Sequence, residues 1–136
     1  MLLHPDFLKT KALLYDKQGL VVENLQTEKE SSEYGACTFT LNGQRIIFRV
    51  AKVTPKKPGL FVAIWKRADN GSTKAYDFAD DFDLMVISVT IGDNFGQFVF
   101  TKSILKTKGI ISYNGKGGKR GIRVYPPHVQ NLNKQA

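Results

Sequence analysis

Apolar positions recur at helical spacing near the start of the chain and at strand spacing over most of the rest. Phe7, Leu8, Ala12, Leu13 and Tyr15 follow the step of an amphipathic helix. Pro5 in the first turn and Asp6 near the positive end of the dipole mark its start, and Gly19 its stop. Leu20-Val21-Val22 is a short apolar piece, and the acidic ENLQTEKESSE after it reads as a second helical turn or a loop. From Tyr34 the period drops to two. YGACTFTL, Asn42-Gly43 and QRIIFRVAKV form a β-hairpin, because Asn-Gly supplies the positive φ angles of a type I′ turn. TPKKPG turns the chain and LFVAIWKR follows, so an antiparallel three-stranded meander is predicted over Tyr34 to Arg67. LMVISVTI (Leu84 to Ile91) and QFVF are further strands on either side of GDNFG. Thr101 caps a short helix, KSILKTK, which Gly109 ends. Asn114 to Gly121 is a glycine-rich loop, Ile122 to Tyr125 a last strand, and Pro126-Pro127 its stop. The expected class is mixed α/β, in one domain spanning 1–136.

Composition bounds the function. The chain's 136 residues are enough to close one hydrophobic core. No apolar stretch approaches a membrane span, and MLLHPDFLKTKALLYDK does not have the layout of a secretory signal. Cys37 is the one cysteine, which suits a reducing compartment; the expected location is the cytoplasm.

The net charge of +8 matters less than its distribution. Tyr34 to Ala68 holds seven basic residues, Arg45, Arg49, Lys52, Lys56, Lys57, Lys66 and Arg67, and no acid. From Phe95 onward there are eight, Lys102, Lys106, Lys108, Lys116, Lys119, Arg120, Arg123 and Lys134, again without an acid. The acids gather elsewhere, at Glu23 to Glu33 and at Asp69 to Asp93. Segregation of this kind predicts a basic face and a polyanion partner, DNA or RNA.

The local motifs add detail. In NGKGGKRG (Asn114 to Gly121) the glycines let backbone amides approach a phosphate, with Lys116, Lys119 and Arg120 supplying charge. It fits neither a Walker loop nor GxGxxG. TPKKPG presents Lys56 and Lys57 on a proline-stiffened turn. Trp65 with Lys66 and Arg67 has the composition of a base-stacking platform, although strand alternation groups Trp65 with Phe61 and Ala63 as core. DNFGQFVF does not have the leading basic-Gly pair of an RNA-recognition strand, so Phe98 and Phe100 read as core. Asp77, Asp80, Asp81 and Asp83 do not follow EF-hand spacing and read as a solvated acidic loop able to pair with the basic face. His4 and His128 stand at the two ends of the chain, so no Ser or Cys has an evident base, and Cys37 lies mid-strand among apolar neighbours. No catalytic or metal-ligating set and no cofactor site is expected.

Several phrases resemble the MepB-like family: FRVAKVTPKKPGLFVAIWKR (Phe48 to Arg67), GQFVFTKSIL, GIIS, GKRGIRVYPP (Gly118 to Pro127) and, upstream, ESSEYGACTFTL. The resemblance implies a restriction-endonuclease-like core, a mixed β-sheet flanked by helices, and runs from about Glu30 onward. The family ordinarily continues with a Thr-Gln and Trp-Gln segment, so with the chain ending at Ala136 a final helix is expected to be absent. Nucleases of that fold hold Mg²⁺ on a distant Asp and an (Asp/Glu)-x-Lys motif. No Asp or Glu stands two residues before any Lys here: Ile64 precedes Lys66 and Val50 precedes Lys52. The expectation is a nuclease-like scaffold that binds nucleic acid without cutting it. Backbone contacts would come from Lys52, Lys56, Lys57, Lys66, Arg67, Lys116, Lys119, Arg120 and Arg123, with Tyr125 or Tyr113 stacking on bases. The alternatives are a metal-dependent nuclease with a migrated carboxylate such as Glu33, or a basic protein-interaction module.

Overall fold

The structure is a computed structural model that describes residues 3–28, 30–92 and 94–126. Its first element, α1 (Pro5–Thr10), opens on a His4 cap whose Nδ1 accepts the Asp6 amide at 3.0 Å. The helix continues through a wider turn (Lys11–Tyr15) and a tighter one (Asp16–Gln18) and stops at Gly19, φ +73°. Lengthened α1 lays Phe7 and Tyr15, both buried, on the sheet beneath.

The strands follow in chain order: β1 (Val22–Thr27), β2 (Cys37–Leu41), β3 (Gln44–Val50), β4 (Lys52–Val53), β5 (Leu60–Ala63), β6 (Trp65–Arg67), β7 (Thr73–Ala75), β8 (Leu84–Ile91) and β9 (Asn94–Thr101). Helix α2 (Lys102–Thr107) comes next, capped by Thr101 Oγ1 on the Ile104 amide at 3.2 Å. Strands β10 (Ser112–Tyr113), β11 (Lys116–Gly117) and β12 (Gly121–Val124) close the described chain. The main sheet runs β1-β2-β3-β8-β9, with β3 and β8 parallel and the other neighbours antiparallel. A second sheet, β12-β5-β4, and two hairpin pairs, β6-β7 and β10-β11, complete the set.

The parallel pair explains the two most apolar runs of the sequence. A parallel strand inside a mixed sheet is covered on both faces, so its residues need not alternate. On β3, Ile46, Phe48 and Val50 pack with Phe7 and Tyr15 under α1, while Ile47 faces the other way. On β8, Met85, Ile87 and Val89 join Ile47, Leu60, Val62, Leu105 and Val124 beneath the small sheet. Thus α1 covers one face of the main sheet and the small sheet covers the other.

Two expectations are corrected. The acidic stretch after Leu20 is not a helical turn or loop throughout: β1 pairs with β2 along it, with a bulge between Glu23 and Gln26. The antiparallel meander is β1-β2-β3, one strand earlier than predicted. After β3 the chain leaves for the small sheet, and the neighbour of β3 becomes β8. The Asn42-Gly43 turn forms as expected, at φ +52° and +80°. Among the described residues no helix is long and apolar enough to cross a membrane.

Candidate nucleic-acid interface

The small sheet gathers the rim of the candidate site. Lys52, Phe61 and Arg123 are cross-strand partners on β4, β5 and β12, so their side chains share one face. Lys52 Nζ sits 4.9 Å from the Tyr34 ring centre, Tyr34 packs edge-on against Phe61 at 6.1 Å, and the Arg123 guanidinium lies 5.8 Å from Phe61. A Cβ on Gly121 would meet the Phe61 ring at 2.5 Å, so glycine is required where β12 crosses that ring. Lys56 and Lys57 stand exposed on the turn between β4 and β5. β12 clamps this turn: Arg123 Nη1 donates to the Pro58 carbonyl at 3.3 Å, and the Tyr125 ring lies against Gly59. Lys52, Lys56, Lys57, Arg123 and Tyr125 are therefore brought together at one end of the sheet. Tyr125 is half-buried with Gly59 against its ring, so it serves the turn rather than presenting a free stacking surface.

The glycine-rich loop is more ordered than its sequence implied. Asn114 and Gly115, φ +52° and +76°, make a type I′ turn between β10 and β11. The Gly118 amide donates to the Gly109 carbonyl at 3.0 Å and the Lys119 amide to Ile110 at 2.8 Å. Those two amides are not free to cradle a phosphate. Gly118 is small for packing, since a Cβ there would stand 2.9 Å from Ala75. What the loop offers is side chains: Lys116, Lys119 and Arg120 are exposed, and the Arg120 carbonyl accepts the Ile64 amide at 2.9 Å, placing Arg120 beside the start of β6.

The remaining candidate cations are already held. Three glutamates of the connector between β1 and β2 each take one: Glu28 takes Arg49 at 3.2 Å, Glu30 takes Arg67 at 2.7 Å, and Glu33 takes Lys52 at 3.0 Å. Arg67 reaches Glu30 through both Nε and Nη2 and lies 5.1 Å from the Trp65 ring centre. Lys66 pairs with Asp80 at 2.6 Å, and Lys102 Nζ donates to the Asp80 carbonyl. The acidic loop is accordingly keyed into the fold rather than simply solvated. Asp83 accepts the Arg45 amide at 2.8 Å, and the Ser112 hydroxyl donates to Asp77 at 2.6 Å. That bond, with the Ala79 amide, holds the Asp77 carboxyl below its usual range. Among the described residues no three His, Cys, Asp or Glu side chains converge as a metal set.

Arg49 is the residue that reading the sequence passed over. Its side chain is 0% exposed, near the end of β3, directly beside Ile87. Nη1 donates to the Phe48 carbonyl at 2.8 Å, and Nη2 donates to Glu28 and to the Tyr76 hydroxyl oxygen, each at 3.2 Å. Burial pushes the Tyr76 hydroxyl up, against the opposing pull of Arg49. The available signal was one charge inside the otherwise apolar IIFRV. Cys37 is buried as expected, its thiol pushed by burial up to about 12. His4 is a helix cap; His128 lies outside the described residues.

The MepB-like family model matches residues 28–136, which include the connector, the small sheet, the β10-β11 hairpin and every candidate cation named above. The chain belongs to the MepB-like family. A solved structure described as the crystal structure of MepB is similar at a TM-score of 0.82 and 29% identity, over 98% of this chain and 88% of that one. No curated protein matches the chain. The fold of this MepB-like chain is thus a strand-dominated mixed α/β structure with few helices among the described residues, and the candidate cations just described lie within the matched span.

Proposed function

We propose that this MepB-like chain is a single domain that binds nucleic acid through backbone phosphates, with little sequence preference and without cleavage, on a restriction-endonuclease-like scaffold. The scaffold reading is supported by the order of elements, a helix and then an antiparallel three-stranded meander feeding a mixed sheet. The binding reading is carried by one observation: among the described residues, Lys56, Lys57, Lys116, Lys119 and Arg120 are exposed and enter no ion pair. Arg123 and Lys52, the latter paired with Glu33, share one row of the small sheet with Phe61. Lysine and arginine without carboxylate partners can displace counterions from a phosphate backbone, which is the main source of sequence-independent affinity. Among the described residues, neither α1, even with its continuation to Gln18, nor the six-residue α2 presents a set of base-reading side chains.

The test is a fluorescence-anisotropy titration with labelled single- and double-stranded DNA and RNA at several salt concentrations, followed by a gel after incubation with Mg²⁺ or Mn²⁺. Five unpaired cations predict a slope of log affinity on log salt of about −4, with every oligonucleotide intact. Charge reversal at Lys119 and Arg120 weakens binding uniformly across sequences. Absence of binding at low salt overturns the proposal and leaves the basic rim to an acidic protein; cleavage in the metal lane overturns the non-catalytic half.

A further inference from the structure

A cleft of about 500 Å³ opens beside β6, lined in part by Glu28, Glu30, Trp65, Lys66, Arg67 and Tyr76. That volume falls in the range of small-ligand sites. The phosphate reading makes no use of it, for a physical reason: its exposed charges are already matched. Arg67 is held by Glu30 and Lys66 by Asp80, so a bare phosphate entering here would have to displace one carboxylate while facing Glu28 as well. A neutral, flat, donor-bearing group meets no such opposition.

The lining supplies what such a group needs. Trp65 is the only tryptophan of the chain and is half-buried. The Arg67 guanidinium lies over its ring, 5.1 Å from the centre, and is held there by Glu30 and by the Gly71 carbonyl at 2.7 Å, so the pair presents one flat cationic surface to the cleft. Glu28 gives Oε2 to Arg49, while Oε1 accepts no hydrogen bond among the described residues. Its side chain is 35% exposed, and the wholly buried guanidinium behind it keeps the carboxylate in place. An anchored acceptor beside an indole matches the amino edge of a nucleobase, since cytosine, adenine and guanine each carry an exocyclic amino group and thymine and uracil do not.

We infer that this cleft takes one unpaired, amino-bearing nucleobase, stacked on the Trp65–Arg67 pair with its amino group toward Glu28. The inference rests on the nucleic-acid reading and adds to its phosphate contacts a base contact open to single strands alone, because a paired base keeps its amino group in the duplex and its faces in the stack. The rim cations hold the backbone and the cleft reads one base.

Trp65 reports on its own site. The protein is titrated at low salt with oligo(dC), oligo(dT) and a duplex of equal length, following tryptophan emission and, in parallel, anisotropy of the labelled nucleic acid. Oligo(dC) should change the emission and bind roughly tenfold more tightly than oligo(dT), and the duplex should leave the emission unchanged. Trp65→Leu should abolish the preference for oligo(dC) while duplex affinity stays the same; Trp65→Phe, which keeps an aromatic face, should retain most of it. Binding by anisotropy with a silent tryptophan, or with equal affinity for oligo(dC) and oligo(dT), overturns the cleft inference and leaves the phosphate reading standing. No anisotropy change with any oligonucleotide overturns both.

Discussion

The two groups of cations on this protein come from the same basic segments of the sequence and end in opposite conditions. At one end of the small sheet Lys56 and Lys57, and on β11 and the stretch that leads from it to β12 Lys116, Lys119 and Arg120, stand exposed and unpaired among the described residues. Around the cleft, Arg49, Lys66 and Arg67 are each matched by a carboxylate that comes from an acidic stretch of the chain. The formal charge of +8 is therefore not spread evenly over a basic face. The acidic stretches neutralise the cleft cations and, on the small sheet, Lys52, and leave these five uncovered. Charge counted along a sequence measures how much is present, and only pairing in the fold decides how much a polyanion can reach.

The sharpest way to break the comparison is at Arg49. Arg49→Ala strands Glu28 and the Tyr76 hydroxyl and removes the only bond to the Phe48 carbonyl from this side chain. A loss of about 3–5 kcal/mol, read by urea or thermal unfolding, is expected. A small loss would mean that the buried charge is not integral to the fold.

The same interior sets a pH dependence. The Cys37 thiol is raised from 9.0 to about 12, with burial the main cause and Arg49 opposing it. Unfolded, the thiol ionises near its ordinary value; folded, it keeps its proton. Its stabilising contribution is thus complete below about pH 9 and is lost as pH rises toward 12, amounting to a few kcal/mol at most. Equilibrium unfolding of the wild type and Cys37→Ala across that window isolates it, and the wild type should show the steeper decline. Alkylation of native Cys37 near neutral pH should likewise be about a hundredfold or more slower than of a free thiol.

The smallest expected effect is the most specific. Glu30→Gln releases Arg67 from a half-exposed pair, so stability should change by less than about 0.5 kcal/mol. Affinity for single-stranded nucleic acid should rise a few-fold, with the salt slope steeper by about 0.7, because one more cation becomes available. Unchanged affinity would show that the rim and the β6 side of the cleft do not meet the same ligand.

Local punctuation made much of the fold legible. Asn42-Gly43, Gly19 and the Thr101 cap each specify a backbone geometry, and the chain adopts it. β1 was not legible because VENLQT is an edge strand with a polar, bulged pattern, paired through its main chain. The meander was displaced by one strand because the run IIFRV says only that β3 is buried on both faces, and nothing local names β8 as its neighbour. The rim was visible as lysines on turns. The cleft was not, because its members come from residues 28 to 76 and meet only through the pairing of β6 with β7 and the placement of the connector.

The division between rim and cleft is tested most directly by the salt dependence of oligonucleotide binding in two variants. Lys56→Gln with Lys57→Gln removes two unpaired cations and should flatten the slope of log affinity on log salt by about 1.5. Arg67→Gln removes a cation already matched by Glu30 and should leave the slope within about 0.3 of the wild type. If Arg67→Gln flattens the slope as much per charge as the lysine pair does, the cleft cations bind phosphate too and the division does not hold.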